Sequence, residues 1–464
     1  MACLIAAPCS GSGKTLFSLS LIAWARRQDL SLQPFKVGPD YLDPQLLTAA
    51  AGRPCRNLDL PLCGSRWVRQ SFHAHGGRAD LALVEGVMGL FDGVGSGSEG
   101  SSAAVARELD LPVVLVVDAG GQAQSLAALV RGFQRHDPRV QLAGVVLNRI
   151  SSERHRELLT EVLRSIDVPL LGALPRDLNL DLPCRHLGLA PAHEIQRFSS
   201  RLAAWAVLAE RHLNMPALRT LLQAPCGGID PLQAQLQSTP EVQIRTPLPV
   251  AVAQDAAFHF RYPEMQEALE ILGMPVLPWS PLANETLPDE AVGLVLPGGF
   301  PEQHAAALSH CNRSLAAIRH WFGRRPLYAE CGGMLLLGHS LTDLKGTAHA
   351  MAGMLPFGAS RGRLQVGYRQ LTAGDNSLLL RRGDSLMGHE FHRWQLQPAE
   401  GDQPVGSEDR LWQVEGWRTE RREEGWKRIN VHASWVHLHW GGSWTIPCRW
   451  RDALAIAAAK ASAS

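Results

Sequence analysis

Two stretches of this chain carry residues whose types and spacing suit chemistry. Near the start, Ser10-Gly11-Ser12-Gly13-Lys14-Thr15 offers small residues whose consecutive N–H groups can point at phosphate oxygens, a lysine for the outer phosphates and a hydroxyl for Mg²⁺. Far along the chain, Ala329-Glu330-Cys331-Gly332-Gly333 sets a cysteine after an apolar run and before two glycines. That order suits a tight strand-to-helix turn presenting a thiol beside backbone N–H groups. Together, a nucleotide loop and a nucleophilic thiol imply ATP-driven chemistry coupled to cleavage of an amide, the logic of glutamine-dependent amidation.

The strict phosphate-loop pattern asks for glycine five positions before Gly13, where this chain has Pro8. The order around it is nonetheless the required one: an apolar strand over 4–7, the loop, then a helix-like stretch over 15–25. If the loop holds ATP, Mg²⁺ needs hard oxygen ligands beyond Thr15, and Asp40, Asp43, Glu85 and Asp92 are the candidates. Asp40-Tyr41-Leu42-Asp43 lies between Pro39 and Pro44, in a segment predicted to be non-helical, and Glu85 falls at a predicted strand end before Gly86. Any one of these acids alone reads as a turn cap; as a set beside a phosphate loop they point to function.

Attack of a thiolate on an amide carbonyl needs two fixed backbone donors for the oxyanion, which the Gly298-Gly299 turn and the Gly332 amide offer. The base should be a histidine remote in sequence. In Ala433-Ser434-Trp435-Val436-His437-Leu438-His439-Trp440 two histidines alternate and so share one face of a predicted strand. His437 is the first choice and His439 the second. His389 and His392 are alternatives with substrate-side or structural roles.

These residues need elements to hold them. Apolar runs end in polar residues at Glu85, Asp118 and Asn148, with helix-length stretches between, which predicts a parallel α/β sheet with ligands beyond the carboxyl ends of its strands. Periodicity weakens over 213–248, where Pro, Gly and Gln accumulate, so the expectation is an ATP-binding domain over 1–212, a linker over 213–248 and a second α/β domain over 249–445. That second domain should turn β-rich after about residue 360, and a C-terminal tail over 446–464, Ala-rich from Ala453, should end the chain as a frayed helix.

At 464 residues the chain is long enough for more than one core. A formal net charge of +1 with 19% charged residues excludes a polyanion binder or an acidic tail, so the expected partners are small molecules and not nucleic acid. No apolar run approaches the roughly 20 residues that span a bilayer, and the first residues lead directly into a strand, so a cytoplasmic protein without membrane attachment is expected. Nine scattered cysteines without a C-x-x-C pair argue against a disulfide framework and a structural zinc site.

The motifs together resemble the cobyrinate a,c-diamide synthases, glutamine-dependent enzymes of corrin biosynthesis. The likeness runs through residues 7–15, Phe35-Lys36-Val37-Gly38-Pro39-Asp40-Tyr41-Leu42-Asp43-Pro44 and the run from Val84 to Gly93. It continues through Leu182 to Leu189, Gln254 to Phe258, Gly298-Gly299-Phe300-Pro301-Glu302 and Ala329 to Gly333. The resemblance implies a two-domain α/β protein: an N-terminal dethiobiotin synthetase-like ATPase domain and a C-terminal class I glutamine amidotransferase-like domain. It also accounts for Pro8.

The resemblance further implies ATP as co-substrate, Mg²⁺, glutamine, a corrinoid substrate, acyl-phosphate intermediates, amidation of the c and then the a acetate chains, and a homodimer. On it, Gly11, Ser12, Gly13, Lys14, Thr15 and Lys36 bind ATP, Asn148 contacts adenine, and Thr15, Asp40 and Glu85 hold Mg²⁺. Tyr41, Asp43 and Asp92 serve the substrate or the phosphoryl transfer. Relatives with a full triad place glutamate two residues after the catalytic histidine; here that position is His439, so a Cys331/His437 dyad without its acid is expected. Rival readings are the same reaction on hydrogenobyrinic acid or nickel-sirohydrochlorin, and, in another class, a non-amidating regulatory or metal-inserting nucleotide switch.

Overall fold

The computed structural model describes residues 2–177, 184–185, 188–189, 194–195, 197–239, 246–398 and 409–463. The chain divides into two compact units, Met1–Pro231 and Leu232–Ser464. Half of the Leu182 to Leu189 run that carries part of the resemblance lies outside the described residues; within it, Cys184–Arg185 and Gly188–Leu189 form a short antiparallel pair.

In the first unit, strands β1 (Cys3–Ala6), β2 (Leu32–Val37), β3 (Arg56–Leu58), β4 (Leu81–Glu85), β5 (Val113–Asp118), β6 (Leu142–Ile150) and β7 (Leu170–Pro175) form one sheet in the order β3-β2-β4-β1-β5-β6-β7. Every pairing is parallel. Side chains alternate between its faces: Leu4, Val84 and Leu115 enter one core, and Ile5, Leu83 and Val116 the other. Both faces are buried, which is why the strands read as unbroken apolar runs. Because the strands run the same way, the phosphate loop after β1, Asp40 after β2, Glu85 at the end of β4, Asp118 at the end of β5 and Asn148 near the end of β6 share one edge.

Among the described residues of the stretch read as a linker, two helices form, Met215–Leu221 and Pro231–Gln237. Asn214 accepts the Ala217 N–H at 3.3 Å and caps a helix, Met215–Leu221, with Pro216 in its first turn. A Pro read as a breaker thus occupies a position where its missing N–H costs nothing. Leu218 and Leu222 are buried in the first unit's core, and Leu222 O receives the Ala82 N–H at 2.8 Å beside β4. Further on, Leu232 is buried and Leu236 packs on the second unit's core. The tail is helical, as expected from Ala453 onward, and the helix starts earlier: it runs over Thr445–Ala463, anchored by buried Ile446, Trp450 and Leu454.

In the second unit the strands Val276–Trp279, Val250–Ala253, Gly293–Leu296, Leu327–Glu330, Val431–Ser434 and Trp426–Arg428 lie in that order. All pair in parallel except the last two. A second sheet is built on the hairpin of Phe357–Ala373 with Ser385–Pro398, matching the expected β-rich region. Among the described residues no helix is long and apolar enough to cross a membrane.

Candidate active site

The phosphate loop closes on the helix Lys14–Arg27 through Gly13, whose φ of 106° no L side chain adopts comfortably. A Cβ there would also lie 2.2 Å from Asn148 Nδ2. Asn148 is buried; its Nδ2 donates to Ser12 O at 3.0 Å and its Oδ1 accepts the Arg149 N–H at 2.9 Å. Asn148 thus ties the phosphate loop to β6, and each end of its amide keeps a second position, one proton and one lone pair, for the adenine contact expected from sequence. Lys14 Nζ donates to Met88 O at 2.6 Å, and Met88 itself has a φ of 48°.

Thr15 Oγ1 donates to Glu85 Oε1 at 3.0 Å. That same oxygen accepts from Lys36 Nζ at 2.9 Å, and Lys36 also reaches Asp43 Oδ2 at 2.5 Å, with Asp40 Oδ2 at 3.8 Å. Lys36 and Glu85 are buried. Burial pulls the Lys36 pKa down, but Asp43, Glu85 and Asp40 outweigh it and hold the ammonium well above the ordinary range. Burial and then Asp43 push Asp40 up to about 7 against the pull of Lys36, whereas for Asp43 the lysine overcomes burial and holds the carboxyl low. Burial and then Lys36 lower Lys14.

The Asp40 to Asp43 segment departs from the non-helical expectation. Asp40 Oδ1 accepts the N–H groups of Leu42 at 2.9 Å and Asp43 at 3.2 Å, starting the helix Leu42–Ala51, and Pro44 falls in its tolerant first turn. Tyr41 is buried just ahead of that helix. Asn57, which sequence reasoning passed over, donates to Gly38 O at 2.8 Å and Asp40 O at 2.9 Å and so fixes the turn. Asp92 is exposed, and its Oδ2 accepts the Gly89 N–H at 2.8 Å; the structure does not gather it into the Lys36 cluster.

Among the described residues no cluster of three or more His, Cys, Asp or Glu is arranged to hold a metal by itself. One atom does suit a cation completed by phosphate oxygens. Glu85 Oε2 is buried without a hydrogen-bond partner on the carboxylate that receives Thr15, and a hard oxygen so placed fits Mg²⁺.

In the second unit Cys331 sits at the junction between the strand Leu327–Glu330 and the short helix Gly332–Leu335, with φ 45° and ψ −110°. The residue is buried, its N–H bonds Ser434 O at 2.7 Å, and its Sγ lies 4.0 Å from Phe391 O. Glycine is required around it: a Cβ on Gly332 would lie 3.0 Å from Gly299 N, and one on Gly299 would lie 2.0 Å from Ala257 O. The two glycines chosen for the oxyanion therefore meet beside the thiol.

His437 is not on the predicted strand, which ends at Ser434; it lies beyond, in an isolated bridge with His389. A Cβ on Gly298 would touch its Cε1 at 2.5 Å. Burial lowers its pKa, but Cys331 and then Glu330 outweigh burial and push the imidazole up to about 10. Glu330 Oε2, on the residue before Cys331, stands 3.5 Å from His437 Nδ1. Glu330 Oε1 accepts from the Tyr328 hydroxyl and from the Leu438 N–H at 3.1 Å.

The other histidines serve elsewhere. His439 Nε2 lies 3.7 Å from Glu264 Oε2, and its ring packs on Tyr262. His389 Nε2 lies 2.9 Å from the Tyr262 hydroxyl. His392 stacks on Trp435 with centroids 3.8 Å apart, near a Glu390 paired to Arg369 and Arg422.

Known families and relatives match both parts of the chain. Residues 3–189 match the CobQ/CobB/MinD/ParA nucleotide binding domain and residues 249–444 the CobB/CobQ-like glutamine amidotransferase domain. The cobyrinate a,c-diamide synthase of Gloeobacter violaceus is 43% identical over 95% of this chain and 94% of its own, and that of a Synechococcus is 40% identical over 96% and 97%. The hydrogenobyrinate a,c-diamide synthase of Streptomyces coelicolor is 40% identical over 94% of each chain. At that identity and coverage, the chain belongs to the a,c-diamide synthase family and is an ATP-dependent ligase with glutamine as its amido donor.

Proposed function

We propose that the enzyme amidates the c and then the a acetate carboxylates of cobyrinic acid, each through an acyl phosphate, with ammonia released from glutamine at Cys331. The observation that most supports the thiol half is the pairing of His437 with Cys331 and Glu330, which favours an imidazolium beside a nucleophilic sulfur. His437 takes the thiol proton, the sulfur attacks the amide carbon, Gly299 and Gly332 N–H groups receive the oxyanion, and the imidazolium returns its proton to departing ammonia. Water then releases glutamate.

In the first unit the backbone of Gly11, Ser12 and Gly13 cradles the phosphates while Lys14 and Lys36 balance charge on the transferring group. Thr15, Glu85 and Asp40 would hold Mg²⁺, which supplies charge neutralisation between the outer phosphates. Tyr41, Asp43 and Asp92 position the carboxylate that accepts the phosphoryl group. Its hydroxyl-equivalent oxygen leaves as phosphate when ammonia attacks.

Relatives of both substrate names stand at similar identity, so hydrogenobyrinic acid is a specific second reading. The test offers cobyrinic acid, hydrogenobyrinic acid and nickel-sirohydrochlorin separately, with ATP, Mg²⁺ and glutamine, and reads products by mass. Two OH-to-NH₂ exchanges on cobyrinic acid are expected. Exchange on another substrate alone transfers the proposal there, and ATP hydrolysis with no amidated product supports a nucleotide switch. Cys331→Ala should lose glutamine-dependent amidation and keep the ammonia-dependent reaction; loss of both would end the division of labour.

A further inference from the structure

We infer that Glu330 is the positioning acid of the glutaminase site, holding His437 by its Nδ1 so that the opposite ring nitrogen serves Cys331. The inference rests on the Cys331/His437 reading above. Glu330 touches neither substrate nor reacting atoms; it acts through His437.

Its carboxylate grips the His437 segment twice. Oε2 faces the side chain at 3.5 Å and Oε1 accepts the backbone N–H of the next residue, Leu438, at 3.1 Å. The first distance is longer than a closed N–H···O bond, as in many unliganded catalytic sites, whose bonds tighten in the substrate complex. Tyr328 lies two residues before Glu330 on the same strand and therefore on the same side, and its hydroxyl donates to Oε1, leaving Oε2 for the imidazole. The backbone turn at Cys331 sends the thiol off the line of the strand, so consecutive residues can serve opposite ends of one imidazole.

The relay Glu330–His437–Cys331 has the logic of an acid-base-nucleophile triad with its acid drawn from an unusual place. The groups facing His437 are Cys331 and Glu330 on its own side and the stacked ring of His389, itself bonded to the Tyr262 hydroxyl, with His439 also adding to the field around His389. Burial and the neighbouring imidazoles keep His389 well below the usual histidine range, while Glu330 stands as a carboxylate partner beside the His437 ring.

The test is Glu330→Gln, which keeps shape and can still accept the Leu438 N–H but removes the charge. Expected are a fall in kcat for glutamate release of about 10²- to 10⁴-fold with KM nearly unchanged, and an alkaline limb of the kcat–pH profile displaced to lower pH, because His437 loses its anionic partner. Ammonia-dependent amidation should persist. A purely structural buttress predicts wild-type kcat and an unmoved alkaline limb, and either result overturns the inference. Should Glu330→Gln fail to fold, Glu330→Asp carries the test: it retains the charge but withdraws it, so a wild-type alkaline limb refutes the role and a partial displacement supports it. Cys331→Ala run in parallel separates the two levels. If it still releases glutamate, the thiol reading fails; if it is silent while Glu330→Gln behaves as wild type, only this inference fails.

Discussion

The rings of His389 and His437 lie face to face, with centroids 5.0 Å apart and planes 14° from parallel. Their backbones exchange hydrogen bonds of 3.1 and 2.9 Å. Two imidazoles this close do not both carry charge cheaply. Cys331 and Glu330 give the charge to His437, and burial together with that charge keeps His389 neutral. Stacking therefore sorts the two histidines into an ion and a neutral wall.

The sorting sets an order of effects. His437→Phe should reduce glutamate release by at least about 10²-fold, the ordinary worth of a general acid-base group. His389→Phe keeps an aromatic ring against His437 and should cost about tenfold or less. Steady-state glutamate release for both variants checks this, and the reverse order would exchange their roles.

Lys36 sets the corresponding expectation in the first unit. Its ammonium is buried against Asp43 and Glu85 at 2.5 and 2.9 Å, and removing it leaves those carboxylates without their cation. Lys36→Met should destabilise the fold by roughly 3 kcal/mol, the scale for breaking a buried ion pair from one side. Urea unfolding checks it; a midpoint within error of wild type would show that solvent or another group already compensates the acids.

Much of this site is legible in sequence because polar residues interrupt apolar runs where parallel strands end. Glu85 and Asn148 are visible that way, and so are the two glycine-flanked turns. Their partners are not. Asn148 meets Ser12 across 136 residues, and Glu330 meets Leu438 across 108, contacts that no local periodicity encodes. Local chemistry also misleads where a side chain satisfies a helix start: Asp40, one residue before the N-cap Tyr41, accepts the first N–H groups of a helix containing Pro44, and Asn214 caps one containing Pro216. In both places the proline looks like a breaker until the capping oxygen is placed.

Asp40 gives a pH signature. Burial and Asp43 raise its folded pKa from 3.8 to about 7, so between those values the folded state binds the proton more tightly than the unfolded chain. Stability from this group is fully present below the unfolded value and falls as pH rises through about 7. Asp40→Asn keeps an acceptor for the Leu42 and Asp43 N–H groups and cannot ionise. Measured by thermal melts, its stability relative to wild type should gain about 2.5 kcal/mol as pH rises from 5 to 8, most of it below about pH 7. A constant difference between the two proteins across that range would place the titration elsewhere.

Gly299 separates space from chemistry in the thiol site. A Cβ there would sit 2.0 Å from Ala257 O and 2.8 Å from its carbonyl carbon, both backbone atoms that no rotamer change can move. The strand pairing of Gly299 with Phe258 must then open, carrying the Gly299 N–H away from Gly332. Gly299→Ala should therefore lower kcat for glutamate release by about 10²- to 10³-fold, the measured scale for losing one oxyanion donor. Ammonia-dependent amidation, which needs no oxyanion at Cys331, should remain near wild type. Equal loss of both activities would mean that the clash unfolds the second unit and propagates beyond it, and undiminished glutamate release would remove Gly299 from the oxyanion site.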